Sequence, residues 1–252
     1  MRKIFLFIAL AGLLTACNRP LKVRSTEGEM ITIDASLDAI ADSDYVRSLV
    51  PIKEAIKAEM GIVIGKCEVP MEVFPPECPM LNWASDALLE EARKYYPGKV
   101  DGAIVNRGGM RCNWHKGPLT VGNVFELMPF DNELVVLTLK GEDILELCQI
   151  FASQDGEGVA NIRMRAEDKQ LIDATIGGKP IEPERLYHIA TSDYLSGGND
   201  KMTPLTRATE CWTEHLLIRD LYIDYIKRHK NISAQIDGRM MLYEENLDSA
   251  AR

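Results

Sequence analysis

Apolar positions recur along this chain at two spacings, and the change from one to the other sets out a series of helices and strands. From Pro51, the positions Ile52, Ile56 and Met60 share one helical face, with the proline in the first turn and Gly61 after the last. Residues 81–96 predict a second helix, with Leu81, Ala84, Leu88, Ala92 and Tyr95 as its apolar stripe and Pro97-Gly98 closing it. A third spans 141–152, with Ile144, Leu147, Cys148 and Phe151 inward, and a long fourth spans 209–229, with Leu217, Leu221 and Tyr225 as core contacts. Short apolar runs predict strands at 62–64, 103–105, 133–139, 159–165, 171–176 and 186–191, and an edge strand at 31–36. A proline-rich link occupies 69–79, Gly177-Gly178 makes a turn, and no repeat or low-complexity tract interrupts the series. Mixed helices and strands with hairpin-like connections predict a single α+β (mixed α/β) domain rather than a doubly wound sheet.

The first residues change the picture at one end. Met1-Arg2-Lys3, an apolar run from Ile4 to Leu14 and then Thr15-Ala16-Cys17 describe a secretory signal too short to be a permanent bilayer span. Cysteine after Leu-Thr-Ala resembles the bacterial lipobox, which implies cleavage before Cys17 and lipid attachment to it; an ordinary signal with an incidental cysteine is the alternative. The expected organisation is a signal at 1–16, a lipidated tether at 17–43, the folded domain at 44–245 and a tail at 246–252. The expected location is the bacterial cell envelope, lipid-anchored to a membrane and facing either the periplasm or the surface.

A net charge of -9 argues against a nucleic-acid polymer as partner, because a phosphate backbone calls for a basic surface. Beyond Cys17, the cysteines at 67, 78, 112, 148 and 211 are too widely spaced for a zinc pattern. Their odd number in an exported chain leaves at least one thiol unpaired, and a Cys67–Cys78 disulfide is one pairing the spacing allows.

Chemistry concentrates in residues 101–132. There the run Ala103-Ile104-Val105 leads into Asn106-Arg107-Gly108-Gly109-Met110-Arg111, a strand ending in a glycine turn where the backbone can take positive φ and approach a ligand closely. Arg111 offers a planar charged fork for carboxylate or phosphate. A second turn, Pro129-Phe130-Asp131-Asn132, sets an aromatic ring beside polar groups, as a planar heterocycle would need. A third segment, from Tyr187 to Asp200, is a strand that ends in Tyr194, Gly197, Gly198 and Asp200. Taken singly, each also reads as a joining turn, a solvated arginine or a core aromatic.

Together, Asn106, Gly108, Gly109, Met110, Arg111, Gly117, Thr120, Pro129, Phe130, Asn132 and the segment from Tyr194 to Asp200 resemble the C-terminal, substrate-binding domain of the 5'-nucleotidase family. The resemblance extends more weakly from about Tyr45 to about Leu242. It implies that Phe130 and Tyr194 stack on a base, that Asn132 contacts its edge, that Asp200 holds the ribose hydroxyls and that Arg111 with Asn106 lies on the phosphate side. It also assigns Asn82 and Asp86, on the second helix, to bracing neighbouring loops, with simple capping or solvent contact as the equal alternative. Acidic net charge does not conflict with a mononucleotide, which needs only one or two local cations.

Two departures stand out. The residue before Glu77, where the family often has arginine, is Pro76, and the family's glycine-aspartate-glycine is here Asn199-Asp200-Lys201. In the family, hydrolysis belongs to a separate two-metal domain, which needs several converging ligands. With only His115, His188, His215 and His229, and no metal motif, this chain implies no cofactor of its own; divalent metals are expected only in a separate metallophosphatase chain. Of the four, His115 beside Trp114 is the one to inspect. The resemblance thus implies nucleotide or nucleoside recognition that completes such a hydrolase, with a stand-alone binding lipoprotein and a degenerate interaction module as alternatives.

Overall fold

The computed structural model describes residues 22–36 and 43–243, and the chain divides into two compact units, residues 1–50 and 51–252. Cys17 and the tail at 246–252 lie outside the described residues.

Residues 31–36 form no strand. Ile31 and Ile33 are exposed, and Asp34 Oδ1 accepts the Ser36 N–H at 2.9 Å, which curls the chain into a turn. Helix α1 (Ser43–Met60) begins earlier than the sequence predicts and carries Pro51 in its middle. None of its residues is buried, so the carbonyl freed by the missing proline N–H can meet water.

The remaining elements are, in order, β1 (Val63–Cys67), α2 (Pro79–Tyr95), β2 (Gly102–Val105), β3 (Gly117–Thr120), α3 (Val121–Leu127), β4 (Glu133–Lys140) and α4 (Gly141–Ser153). They continue with β5 (Gly158–Ala160), β6 (Ile162–Glu167), β7 (Gln170–Ile176), β8 (Lys179–Pro180), β9 (Leu186–Ser192) and α5 (Asp193–Ser196). β10 (Glu210–Leu217), α6 (Ile218–His229), β11 (Asn231–Ile232) and β12 (Met240–Tyr243) complete the series.

The central sheet has the order β10-β4-β9-β2-β5. Within it β2 and β9 run parallel, while β4 is antiparallel to β9 and β10. Both faces are covered, and alternate residues enter two separate cores. Ala103, Val105, Leu134, Val136 and Ala190 join α2, α3 and α6 on one face; Ile104, Val135, Leu137, Leu139 and Ile189 join α4 and β6 on the other. Smaller sheets, β11-β1-β3 and β12-β6-β7-β8, complete the mixed α/β fold.

Four further sequence expectations need correction. Residues 210–217 are not the first half of a long helix but the edge strand β10, paired with Thr138 through Glu133; only 218–229 is helical, so His215 lies in a strand. The backbone N–H and C=O groups of this stretch find partners on β4, and that tertiary pairing overrides helical spacing. The strand expected at 159–165 is two strands in two sheets, broken at Asn161, whose φ of 57° turns the chain between them. Cys67 and Cys78 are both free thiols, and Cys67 Sγ donates instead to the Val69 carbonyl at 2.9 Å. Gly108 and Gly109 sit in a 3₁₀ turn without positive φ.

Asn82 and Asp86 do tie loops to α2. Asn82 Nδ2 donates to Glu77 Oε1 at 2.7 Å and to the Gln235 carbonyl at 3.0 Å, while Asp86 takes both ends of the Arg239 guanidinium at 2.8 and 2.9 Å.

Candidate functional site

Because β2 and β9 are parallel neighbours, the chain leaves both at the same end of the sheet. β4 is antiparallel to β9, with Leu134 opposite Ser192, so it enters at that end too. Three turns therefore meet there: Asn106 to Arg111 after β2, Pro129 to Asn132 before β4, and Tyr194 to Asp200 after β9.

Between them lies a cavity of about 250 Å³ lined by Asn106, Gly108, Gly109, Arg111, Phe130, Asn132, Tyr194 and Asp200. All six residues singled out from the sequence border it. Phe130 and Tyr194 are 40% and 41% exposed, so neither ring is used up in a core. Gly117 and Thr120, two further motif positions, lie in β3; Thr120 caps α3, its Oγ1 accepting the Asn123 N–H, and neither lines the cavity.

Asp200 is the hub. Its Oδ2 accepts the Asn106 Nδ2–H at 2.6 Å and its Oδ1 the Tyr194 hydroxyl at 2.9 Å. The carboxylate holds the Tyr194 phenol above its ordinary pKa, chiefly through that hydrogen bond. Asp200 and Lys201 both take left-handed backbone conformations, with φ of 53° and 63°. The turn thus keeps a glycine-like path without glycine at 201, at a cost of roughly 1 kcal/mol. Lys201 is exposed and does not line the cavity.

Gly109 is needed for close approach: a Cβ there would stand 2.7 Å from Asn106 Oδ1, whereas at Gly108 the nearest atoms are 3.7 and 3.8 Å away. Arg111 donates to the Gly108 carbonyl at 3.1 Å, and its guanidinium carbon lies 5.8 Å from the centroid of the Phe130 ring. That leaves a cation beside an aromatic ring, the pairing suited to an anionic group attached to a planar one.

Several supporting residues were not legible in the sequence. Asp193 Oδ1 accepts both the Glu133 N–H at 3.0 Å and the Tyr194 N–H at 2.8 Å. The Arg107 guanidinium reaches the carbonyls of Gln154, Asp155 and Gly156, and Gln154 Nε2 donates to the Asp200 carbonyl at 3.3 Å. Buried Glu157 accepts the Arg107 backbone N–H. Burial pushes its carboxyl up to about 7, the Arg107 hydrogen bond and charge pull it down, and Asp200 pushes it up.

Among the described residues no group of three or more His, Cys, Asp or Glu side chains could hold a metal ion. His115 is exposed, His215 and His229 each meet a single glutamate at 2.8 Å, and His188 Nδ1 lies 3.8 Å from Asp101. Glu77, next to Pro76, is buried under Asn82 and the N–H of Asp237. No helix among the described residues is long and apolar enough to cross a membrane.

The family model described as 5'-nucleotidase, C-terminal domain, matches residues 63–207. Protein UshA of Yersinia enterocolitica is 23% identical over 84% of this chain and 40% of its own length. The probable 5'-nucleotidase of Treponema pallidum is 24% identical over 89% of this chain and 44% of its own. The crystal structure of the 5'-nucleotidase precursor of Thermus thermophilus superposes with a TM-score of 0.71 and 25% identity, covering 82% of this chain and 45% of that one. The chain therefore spans less than half the length of these relatives. With more than half of its residues matched by the family model, and with a fold shared with a nucleotidase structure, the chain belongs to the 5'-nucleotidase C-terminal domain family.

Proposed function

We propose that this chain recognises a nucleotide or nucleoside for a 5'-nucleotidase-like phosphohydrolase system. The observation that carries the reading is the meeting of Phe130, Asn132, Tyr194, Asp200, Asn106 and Arg111 around one cavity. In it, Phe130 and Tyr194 stack on the base, Asn132 meets the base edge, Asp200 accepts from the ribose hydroxyls, and Arg111 with Asn106 faces the phosphate. Stacking of this kind contributes roughly 1–3 kcal/mol per base in nucleic-acid systems, enough with a few hydrogen bonds for micromolar affinity.

Hydrolysis is assigned to a separate metallophosphatase chain, as the family resemblance implies. On this reading the protein binds but does not hydrolyse by itself. The cavity is built entirely from residues 106–200 of this chain, which favours binding without a partner and keeps the stand-alone binding lipoprotein as the second reading. Lipid attachment at Cys17 would hold either form in the bacterial envelope.

Isothermal titration of the protein with AMP and adenosine tests recognition: saturable binding that Phe130→Ala weakens by about tenfold or more supports it, and no binding at millimolar ligand sinks it for the isolated chain. Recovery of phosphatase activity on adding an exported metallophosphatase would separate the first reading from the second. Mass spectrometry of the purified N-terminal peptide checks acylation of Cys17.

A further inference from the structure

We propose that Arg219 is the positioning residue for the Phe130 ring. Arg219 is 8% exposed and does not line the cavity, yet it holds the turn on which the ring is mounted. Its Nη1 donates to the Phe130 carbonyl at 3.2 Å and its Nη2 to Asp131 Oδ1 at 2.6 Å. One residue earlier, the Ile218 N–H donates to the Asn132 carbonyl at 2.9 Å. Two consecutive residues at the start of α6, where backbone N–H groups have no partner within the helix, thus grip three consecutive residues of the turn.

The ring has little else to fix it. Phe130 is 40% exposed and belongs to neither apolar core, so its placement follows its backbone. The guanidinium is itself held: it lies 4.1 Å from the centroid of the Phe125 ring. A planar fork that stacks on one ring while serving two acceptors is specific to arginine; a lysine ammonium offers neither the flat face nor the fork. Arg219 acts on the ligand only through Phe130, and the inference rests on the stacking reading above.

The test is a double-mutant cycle. AMP affinity is measured by titration for the protein, for Arg219→Met, for Phe130→Ala and for the double variant, with thermal midpoints alongside. Arg219→Met should weaken AMP about tenfold when Phe130 is present and change it less than about twofold in the Phe130→Ala background, the coupling expected of neighbours in contact. Arg219→Lys, which keeps the charge, should recover only part of the loss and serves in its place should Arg219→Met fail to fold. Equal losses in both backgrounds, or a lowered midpoint with unchanged AMP affinity, would overturn the proposal and leave Arg219 a stability residue. Phe130→Ala without effect on AMP would overturn the stacking reading itself.

Discussion

The side-chain amide of Asn106 donates to Asp200 Oδ2 at 2.6 Å, joining the turn after β2 to the turn after β9 across 94 residues of chain. Tyr194 donates to the other oxygen of the same carboxylate, so one acid fixes two walls of the cavity. Asp200→Asn leaves the shape nearly intact and removes the charge. The Tyr194 phenol should then titrate closer to its ordinary value, because the carboxylate that favours its protonated form is gone. AMP affinity should fall tenfold to about a hundredfold, the range for hydrogen bonds to a charged group. Near-ultraviolet titration of the phenol, compared with the unsubstituted protein, and calorimetry check the two effects.

The two glycines of the first turn should respond differently to alanine. At Gly109 the new methyl meets Asn106 Oδ1 and drives that side chain off Asp200. Gly109→Ala should cost about 1 kcal/mol of stability, the worth of the Asn106–Asp200 hydrogen bond, and most of the ligand affinity. Gly108→Ala meets no close atom and needs no unusual φ, so its thermal midpoint should barely move. Equal destabilisation of the two variants would contradict this geometry.

Glu157 predicts a pH dependence of stability. Its folded carboxyl titrates near 7 against an ordinary value of 4.5, so within that window the native chain keeps a proton that the unfolded chain has lost. Stability should therefore fall as pH rises through the window and level off above it, by up to about 3 kcal/mol. Glu157→Gln keeps an acceptor for the Arg107 N–H but removes the titration. Urea midpoints near pH 5 and pH 8 should differ less in the variant than in the unsubstituted protein.

Arg239 offers the contrast of a buried arginine outside the site, paired with two partly exposed carboxylates. It binds Asp86, Asp237 and the Val159 carbonyl, tying α2 to the chain before β12 and to β5. Arg239→Met removes ion pairs whose carboxylates are 48% and 36% exposed and can turn to water, and leaves the Val159 carbonyl without its guanidinium donor, so it should cost about 1–2 kcal/mol in chemical denaturation. AMP affinity of the folded fraction should stay unchanged, since none of these groups borders the cavity.

The sequence carried the walls of the site better than its supports. Asn106, Arg111, Phe130 and Asp200 sit in turns whose glycines, proline and aromatics form a recognisable pattern. Asp193, Gln154, Glu157 and Arg219 carry no such pattern; each matters through a partner 46 to 89 residues away, a distance that local spacing does not encode. The same limit explains β10. Leu217, Leu221 and Tyr225 recur at helical spacing, and only the ladder to β4 shows that the helix starts at Ile218. α4 was readable because Ile144, Leu147, Cys148 and Phe151 all face one core.

The parallel pairing of β2 with β9 has a practical consequence. Gly102 meets Ile189 and Ala103 meets Ala190, so the cavity exists only after a loop of more than eighty residues has closed. No shorter piece of the chain contains both walls, and a partly collapsed molecule has nowhere to place a ligand. Ligand stoichiometry would then count completed molecules, making a titration endpoint an assay of the natively folded fraction in any preparation.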